Sequence, residues 1–341
     1  MSTTIQQTGS SFLGADINEF LGSDFVLSGD GSTLAIGSPF KSSNNLNNNG
    51  AVNVYKNNQG TWTQIGQEIT GIATDELAGT SLTISNDGTT LAFAAIPAGE
   101  SNTIGQTLSG SVRIYQLNED NWNQIGADLP ISRVSDEYGV GDQQSLRQDN
   151  IDLSLDGSFI AIGSDGSYME TQPYVDVYQN INNNWIRFGE AIRTPIETLP
   201  DESNPHTPLV SWGWDRIGRI DNITSLEISN SGSVVAFSST MIGSLFNGLG
   251  LTYIYQNLSG TWSQLGSTIF GEEWGDFSGK AHQLSLSGDG STIAIGSNQN
   301  SGGFNEEDEA GHVRVFKIIT DEWSQVGNDI DGQKITDRLG L

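Results

Sequence analysis

The sequence predicts an all-β fold of five like sheets, and three observations carry that prediction. One stretch of sequence is written five times, its tryptophans (Trp62, Trp122, Trp185, Trp262 and Trp323) falling 60, 63, 77 and 61 residues apart. An aromatic precedes each by seven residues: Tyr55, Tyr115, Tyr178, Tyr255 and Phe316. Within each copy apolar residues recur every second position, as in half-buried strands. A fixed period of this size means one supersecondary unit stacked on copies of itself.

Each copy divides into four strands. The first alternates, as in Leu82-Thr83-Ile84 and Leu284-Ser285-Leu286. It ends at a tight-hairpin signal: Asp30-Gly31, Asp87-Gly88, Asp156-Gly157, Asp289-Gly290, with Ser231-Gly232 in the fourth copy. Glycine accepts positive φ there without Cβ strain. The second strand is a nearly continuous small or apolar run (Leu34-Ala35-Ile36-Gly37, Ile293-Ala294-Ile295-Gly296), which suits burial on both faces. The third alternates around the repeat aromatic (Val52-Asn53-Val54-Tyr55, Val313-Arg314-Val315-Phe316), and the fourth reads Trp-x-Gln-x-Gly.

Four-stranded units repeated around an axis make a β-propeller, which protects its sheet edges by radial repetition. The coils of a linear solenoid are far shorter than ~60 residues. The expectation is therefore one domain over residues 1–341: a five-bladed propeller of four-stranded antiparallel blades at about 22–71, 79–130, 150–193, 223–271 and 282–332. Ile5–Gly9 aligns with Trp62–Gly66, and the same offset of 57 continues through Gly14/Gly71, Glu19/Glu76 and Gly22/Gly79. Residues 3–14 thus read as an extra outer-type strand. It either joins blade five or docks on a neighbouring molecule, a route to a homo-oligomer or an assembly partner.

Fourteen basic against 41 acidic residues give a net charge of −27. Such a surface repels nucleic-acid phosphates and anionic lipid, and neither is an expected partner. Without cysteine there is no disulfide framework, thiolate metal site or thiol nucleophile. No apolar run reaches the ~18 residues of a membrane span, so membrane insertion is not expected. The start, MSTTIQQTGSSFLG, lacks the basic and apolar regions of a signal peptide. An extracellular, cell-surface or virion-associated setting then implies another route out of the cell.

The run Leu27-Ser28-Gly29-Asp30-Gly31 … Leu34-Ala35-Ile36-Gly37-Ser38-Pro39, followed by Gly50-x-Val52-x-Val54-Tyr55, resembles the FG-GAP family of propeller repeats. The nearest likeness is the bacterial, algal and viral subset whose outer strand reads Trp-x-Gln-x-Gly, and the strand order is also similar to the WD40 plan. The resemblance spans the whole chain and implies the propeller fold. It implies little about function, because such repeats serve adhesion, glycan binding and scaffolding alike. It does not bring blade-borne calcium, since the hairpins hold one Asp before Gly where Ca²⁺ wants six to eight oxygens.

Residues present in every repeat read first as packing: the five tryptophans blade against blade, the aspartates as turn formers. Residues that break the repeat are more informative. The longest interruption, 193–221, carries His206 and the run Trp212-Gly213-Trp214-Asp215-Arg216. Flat apolar faces beside bidentate polar groups suit a carbohydrate or peptide, against the alternative that both tryptophans cap a blade or plug the central channel. Two further irregular stretches, 132–150 with Tyr138 and 271–283 with Glu272, Glu273, Trp274, Asp276 and His282, should emerge on the same face. Glu306, Glu307, Asp308 and Glu309 could hold a hard cation such as Ca²⁺, against a solvated charged loop; no other cofactor is implied.

His206, His282 and His312 show no metal-ligand spacing among themselves, and no catalytic motif stands out. The expected function is non-catalytic recognition or adhesion, one propeller face binding a glycan or protein surface through Trp212, Trp214, Asp215, Arg216, His206, Tyr138 and Trp274. The alternatives are a structural component of a virion, phage fibre or surface assembly, and a glycan-acting enzyme using two carboxylates from separate blades.

Overall fold

The computed structural model describes residues 7, 9–16, 18–97, 107–134, 150–165, 172–194, 200–201, 204–208, 219–242, 249–272, 277–280, 283–298, 310–332 and 339. It is all-β. Five sheets, one per repeat, each contain five antiparallel strands, and a separate two-stranded ribbon pairs Pro200–Asp201 with Asn204–Pro208. In the first repeat Phe25–Leu27, Thr33–Ser38, Ala51–Asn58 and Thr61–Gln64 lie side by side in chain order. The chain divides into two compact units, 1–147 with 151–160 and 178–186, and 148–150 with 161–177 and 187–341.

The fifth strand of each sheet is the expected outer strand continued. Gly66 takes φ +70° after Gln64, and Ile69–Thr70 then resumes pairing with Ala51 and Val52 on the third strand. The outer strand is therefore interrupted at the glycine of Trp-x-Gln-x-Gly. The hairpin before the second strand is also longer than a two-residue turn. Ser28 N–H donates to Thr33 O at 2.8 Å, so Gly29–Ser32 form a four-residue loop.

The serine opening that loop locks it. Ser28 Oγ donates to Asp30 Oδ1 at 2.6 Å and accepts from Thr33 N–H at 3.0 Å. Ser85, Ser154 and Ser287 repeat both contacts in their own copies. The hydroxyls hold Asp30 below the ordinary carboxylate range, and Ser287 with Ser291 lowers Asp289 to about 2. At Asp87 and Asp156 burial pushes upward, yet the serine and threonine hydrogen bonds outweigh it.

Repeats join by one recurring contact. In the first unit Trp122 Nε1–H donates to Ile65 O at 3.1 Å, and Trp185 Nε1–H to Ile125 O at 3.2 Å. In the second, Trp262 donates to Phe188 O and Trp323 to Leu265 O. The following residue is glycine because a Cβ there would meet the indole: 2.5 Å at Gly66, 2.6 Å at Gly266. The repeat tryptophans are thus joint residues. Around the first and last of these joints lies apolar core: Val52, Val54 and Ile69 against Leu82, Leu91, Phe93 and Trp122, and Ile254, Leu265 and Ile269 against Ile293, Ile295 and Phe316.

The N-terminal segment uses the same joint. A Cβ on Gly9 would sit 2.8 Å from Trp62 Cδ1, and the Phe12 ring lies 4.6 Å from that of Tyr55. Glu19 accepts from Ala15 N–H as Glu76 accepts from Ile72 N–H, the same contact 57 residues apart. The segment docks on its own first repeat, a third placement beside the two expected. Its described residues, 7 and 9–16, belong to no strand, and residues 3–6 and 8 of the expected extra strand lie outside the described residues.

Candidate metal centre

The described residues bring together a carboxylate–imidazole cluster in the second unit. His312 opens the third strand of the fifth repeat, His312–Ile319. Four residues before the repeat aromatic, the other copies carry Ala51, Ser111, Tyr174 and Leu251 at this position. Strand alternation puts His312, Arg314 and Phe316 on one side, and all three are buried. Asp329 follows Gly327, where φ of +79° turns the chain so that Ile330 pairs with Val313 and Asp331 with His312. Gln325 Nε2 donates to Asp329 Oδ1 at 2.6 Å and fixes that carboxylate.

Glu272 comes from the segment leaving the fourth repeat, just after Ile269–Phe270. Its Oε2 lies 3.9 Å from His312 Nδ1 and its Oε1 3.7 Å from Arg314 Nη1. Arg314 donates from Nη2 to Phe270 O at 2.8 Å and stacks its guanidinium 5.3 Å from the Phe316 ring centre. One ligand atom each from Glu272, His312 and Asp329 lies within 4.8 Å of the other two. Two ligands at about 2.0–2.2 Å from one zinc ion are at most about 4.4 Å apart, so the three groups need close by only a few tenths of an ångström to share such an ion. Imidazole with carboxylates suits zinc, manganese or iron better than calcium, which prefers oxygen alone.

The site has a floor and a mouth. His312 is 3% exposed, whereas the Glu272 side chain is 41% exposed. The carboxylates of Glu272 and Asp329 outnumber the one guanidinium of Arg314 and favour a cation.

The sequence-predicted residues fall elsewhere. Trp212, Trp214, Asp215, Arg216, Tyr138, Trp274, Glu306, Glu307, Asp308 and Glu309 lie outside the described residues, and only the backbone of His206, in Asn204–Pro208, is described. Glu272 stood in an irregular stretch already singled out. The histidines have no ligand spacing among themselves, so only the departure of His312 from its repeat register marks it, and Asp329 shares its repeat position with Asp128 and carries no signal of its own. A separate cavity of about 230 Å³ is lined by Glu190, Arg193, Tyr255 and Trp262. Among the described residues no helix is long and apolar enough to cross a membrane.

No known protein family matches the chain, and no curated protein is similar to it. Solved structures similar to it include the periplasmic gluconolactonase of Pseudomonas aeruginosa, at 12% identity and a TM-score of 0.42, covering 92% of this chain and 86% of that one. An oligogalacturonate lyase in complex with manganese gives 11%, 0.41, 89% and 75%. The tricorn protease gives 11%, 0.40 and 90%, with only 26% of its own chain covered. At these values the likeness assigns no activity to this chain.

One correction follows. The structures resembling this chain are mostly named as enzymes, a lactonase, a lyase and peptidases, and so do not bear out the expectation of a non-catalytic recognition or adhesion protein. Aromatic residues on irregular loops had suggested that expectation, but loop composition does not separate a ligand platform from the wall of a reaction site.

Proposed function

We propose that the five sheets are blades of a β-propeller and that the chain is a divalent-cation-dependent protein centred on Glu272, His312 and Asp329. The recurring tryptophan joint supports the blade reading, since it stacks each repeat on the next in one way. One observation carries the centre: three different donor side chains from two repeats converge within 4.8 Å. His312 and Asp329 form the fixed part, and the exposed Glu272 leaves the cation reachable from solvent. A cation there would polarise an oxygen of an incoming molecule. Arg314, beside Glu272, adds a positive charge for an anionic group.

Isothermal titration of the full chain with Mn²⁺ and Zn²⁺ at physiological ionic strength tests this reading. Salt screens diffuse attraction to the acidic surface and leaves a built site. One ion per chain should bind, and the affinity should fall at least tenfold in Glu272→Gln and in His312→Ala. Binding unchanged in both variants would sink the proposal.

A further inference from the structure

The joint between the third and fourth repeats is open where the first joint is clamped. At the first, Gln67 Nε2 donates to Trp122 O at 2.6 Å, and Gln67 Oε1 accepts from Trp122 N–H at 3.0 Å. These backbone groups point outward because only alternate pairs of an antiparallel ladder exchange hydrogen bonds. Ile125 N–H donates to Ile114 O, so Trp122, opposite Leu117, lies at a non-exchanging pair. Leu265 N–H donates to Ile254 O, and Trp262, opposite Asn257, is placed in the same way. Glu190 stands there in the position of Gln67. A carboxylate accepts only, so it cannot close on Trp262 O as the amide closes on Trp122 O. Among the described residues no side chain clamps the Trp262 backbone, and the cavity of about 230 Å³ lies beside it.

The lining departs from the repeat at two positions. Tyr255 and Trp262 are repeat aromatics, but Glu190 stands where the other joints have Gln67, Ala127 and Ser267, and Arg193 where they have Thr70, Pro130 and Phe270. Both charged residues are exposed, and no ion pair joins them, so opposite charges stand apart around one cavity. The aromatic walls are held from behind. Trp262 Nε1–H donates to Phe188 O at 2.8 Å, and Tyr255 stacks on Phe237 with ring centres 5.9 Å apart. The Tyr255 hydroxyl donates to Arg193 O at 3.3 Å, which ties the ring to the strand bearing the guanidinium. Sites for drug-sized ligands begin at about 300 Å³, so the guest here is a smaller molecule.

We infer that this cavity binds a small zwitterion whose ammonium and carboxylate stand at opposite ends of an apolar chain, as in an ω-amino acid. The ammonium meets Glu190 and the outward-facing carbonyl of Trp262. The carboxylate meets Arg193, whose guanidinium lies 5.3 Å from the Tyr174 ring centre. The chain between them lies on Tyr255 and Trp262, whose fixed rings lose little freedom when it binds. The site shares no residue with Glu272, His312 and Asp329 and needs no cation.

The test follows the indole N–H resonance of Trp262 in the full chain by proton–nitrogen NMR, assigned with Trp262→Phe, in the presence of a chelator. The probes are ε-aminocaproate, hexylamine and hexanoate at millimolar concentration. ε-Aminocaproate should shift that resonance saturably, and each singly charged analogue should bind at least tenfold more weakly. Glu190→Gln should rebuild the clamp seen at Trp122, abolish binding and raise the melting temperature. Arg193→Thr, the residue of the first joint, should bind ε-aminocaproate no better than hexylamine. An unmoved Trp262 resonance, equal binding of either analogue, or unchanged binding in Glu190→Gln would each overturn the inference.

Discussion

The third strands of the second and fifth repeats carry an arginine at the same position, and the two arginines live differently. Arg113 is 3% exposed, pairs with Glu76, and donates from Nε to Asp128 Oδ2 at 3.0 Å. Burial works against its charge, but the two carboxylates outweigh that and raise its pKa. Arg314 has one carboxylate, Glu272, at 3.7 Å, and spends its Nη2 on a backbone carbonyl. Asp329, the counterpart of Asp128, is held by Gln325 and stands near His312, which replaces Ser111. The second repeat therefore closes its charges on one another. The fifth keeps a carboxylate pair and an imidazole facing one point. The same scaffold yields structural neutralisation in one copy and a candidate ligand set in the other.

The comparison can be broken most severely at the joints both repeats share. Trp122→Ala removes a 2% exposed indole and should cost about 4 kcal/mol in urea unfolding, by transfer and cavity terms together. Arg113→Met leaves Glu76 buried without its cation and should cost about 3 kcal/mol, read from the same unfolding curves. Arg314→Met should cost about 1 kcal/mol, because Glu272 is largely hydrated already. Equal losses for the two arginines would erase the distinction drawn between the repeats.

The smallest effects lie at the hairpins. Ser231 stands where the other repeats have aspartate, and its contact from Ser229 Oγ is long, at 3.4 Å. Ser231→Asp should restore the locked loop and stabilise by about 0.5 kcal/mol at neutral pH. Because the equivalent aspartates have depressed folded pKa values, that gain should be present above pH ~4 and disappear as pH falls towards 2. Urea unfolding at pH 7 and pH 2.5 checks both the size and the sign.

Most of the architecture was legible in the sequence, and the site was not. The Asp-Gly hairpins, the alternating third strands and the tryptophan spacing are local signals, so they placed four of the five strands in every sheet. The glycine of Trp-x-Gln-x-Gly was read as an ending, whereas it interrupts one strand, a role visible only when the indole of the next repeat sits on it. The cluster needed three dimensions: Glu272 belongs to the exit of one repeat, His312 and Asp329 to the strands of the next, and no spacing in the chain links them. A usable signal did exist, since His312 departs from Ala51, Ser111, Tyr174 and Leu251 in the repeat register.

The most direct measurement is a manganese titration followed by electron paramagnetic resonance, run on the wild type, His312→Ala and Asp128→Asn. One Mn²⁺ per chain should bind, lost in His312→Ala and retained in Asp128→Asn, because among the described residues only the fifth-repeat cluster gathers three such ligands. Equal binding by all three proteins would mean that the ion answers to the acidic surface as a whole, and would contradict the claim that His312 makes the fifth repeat a site.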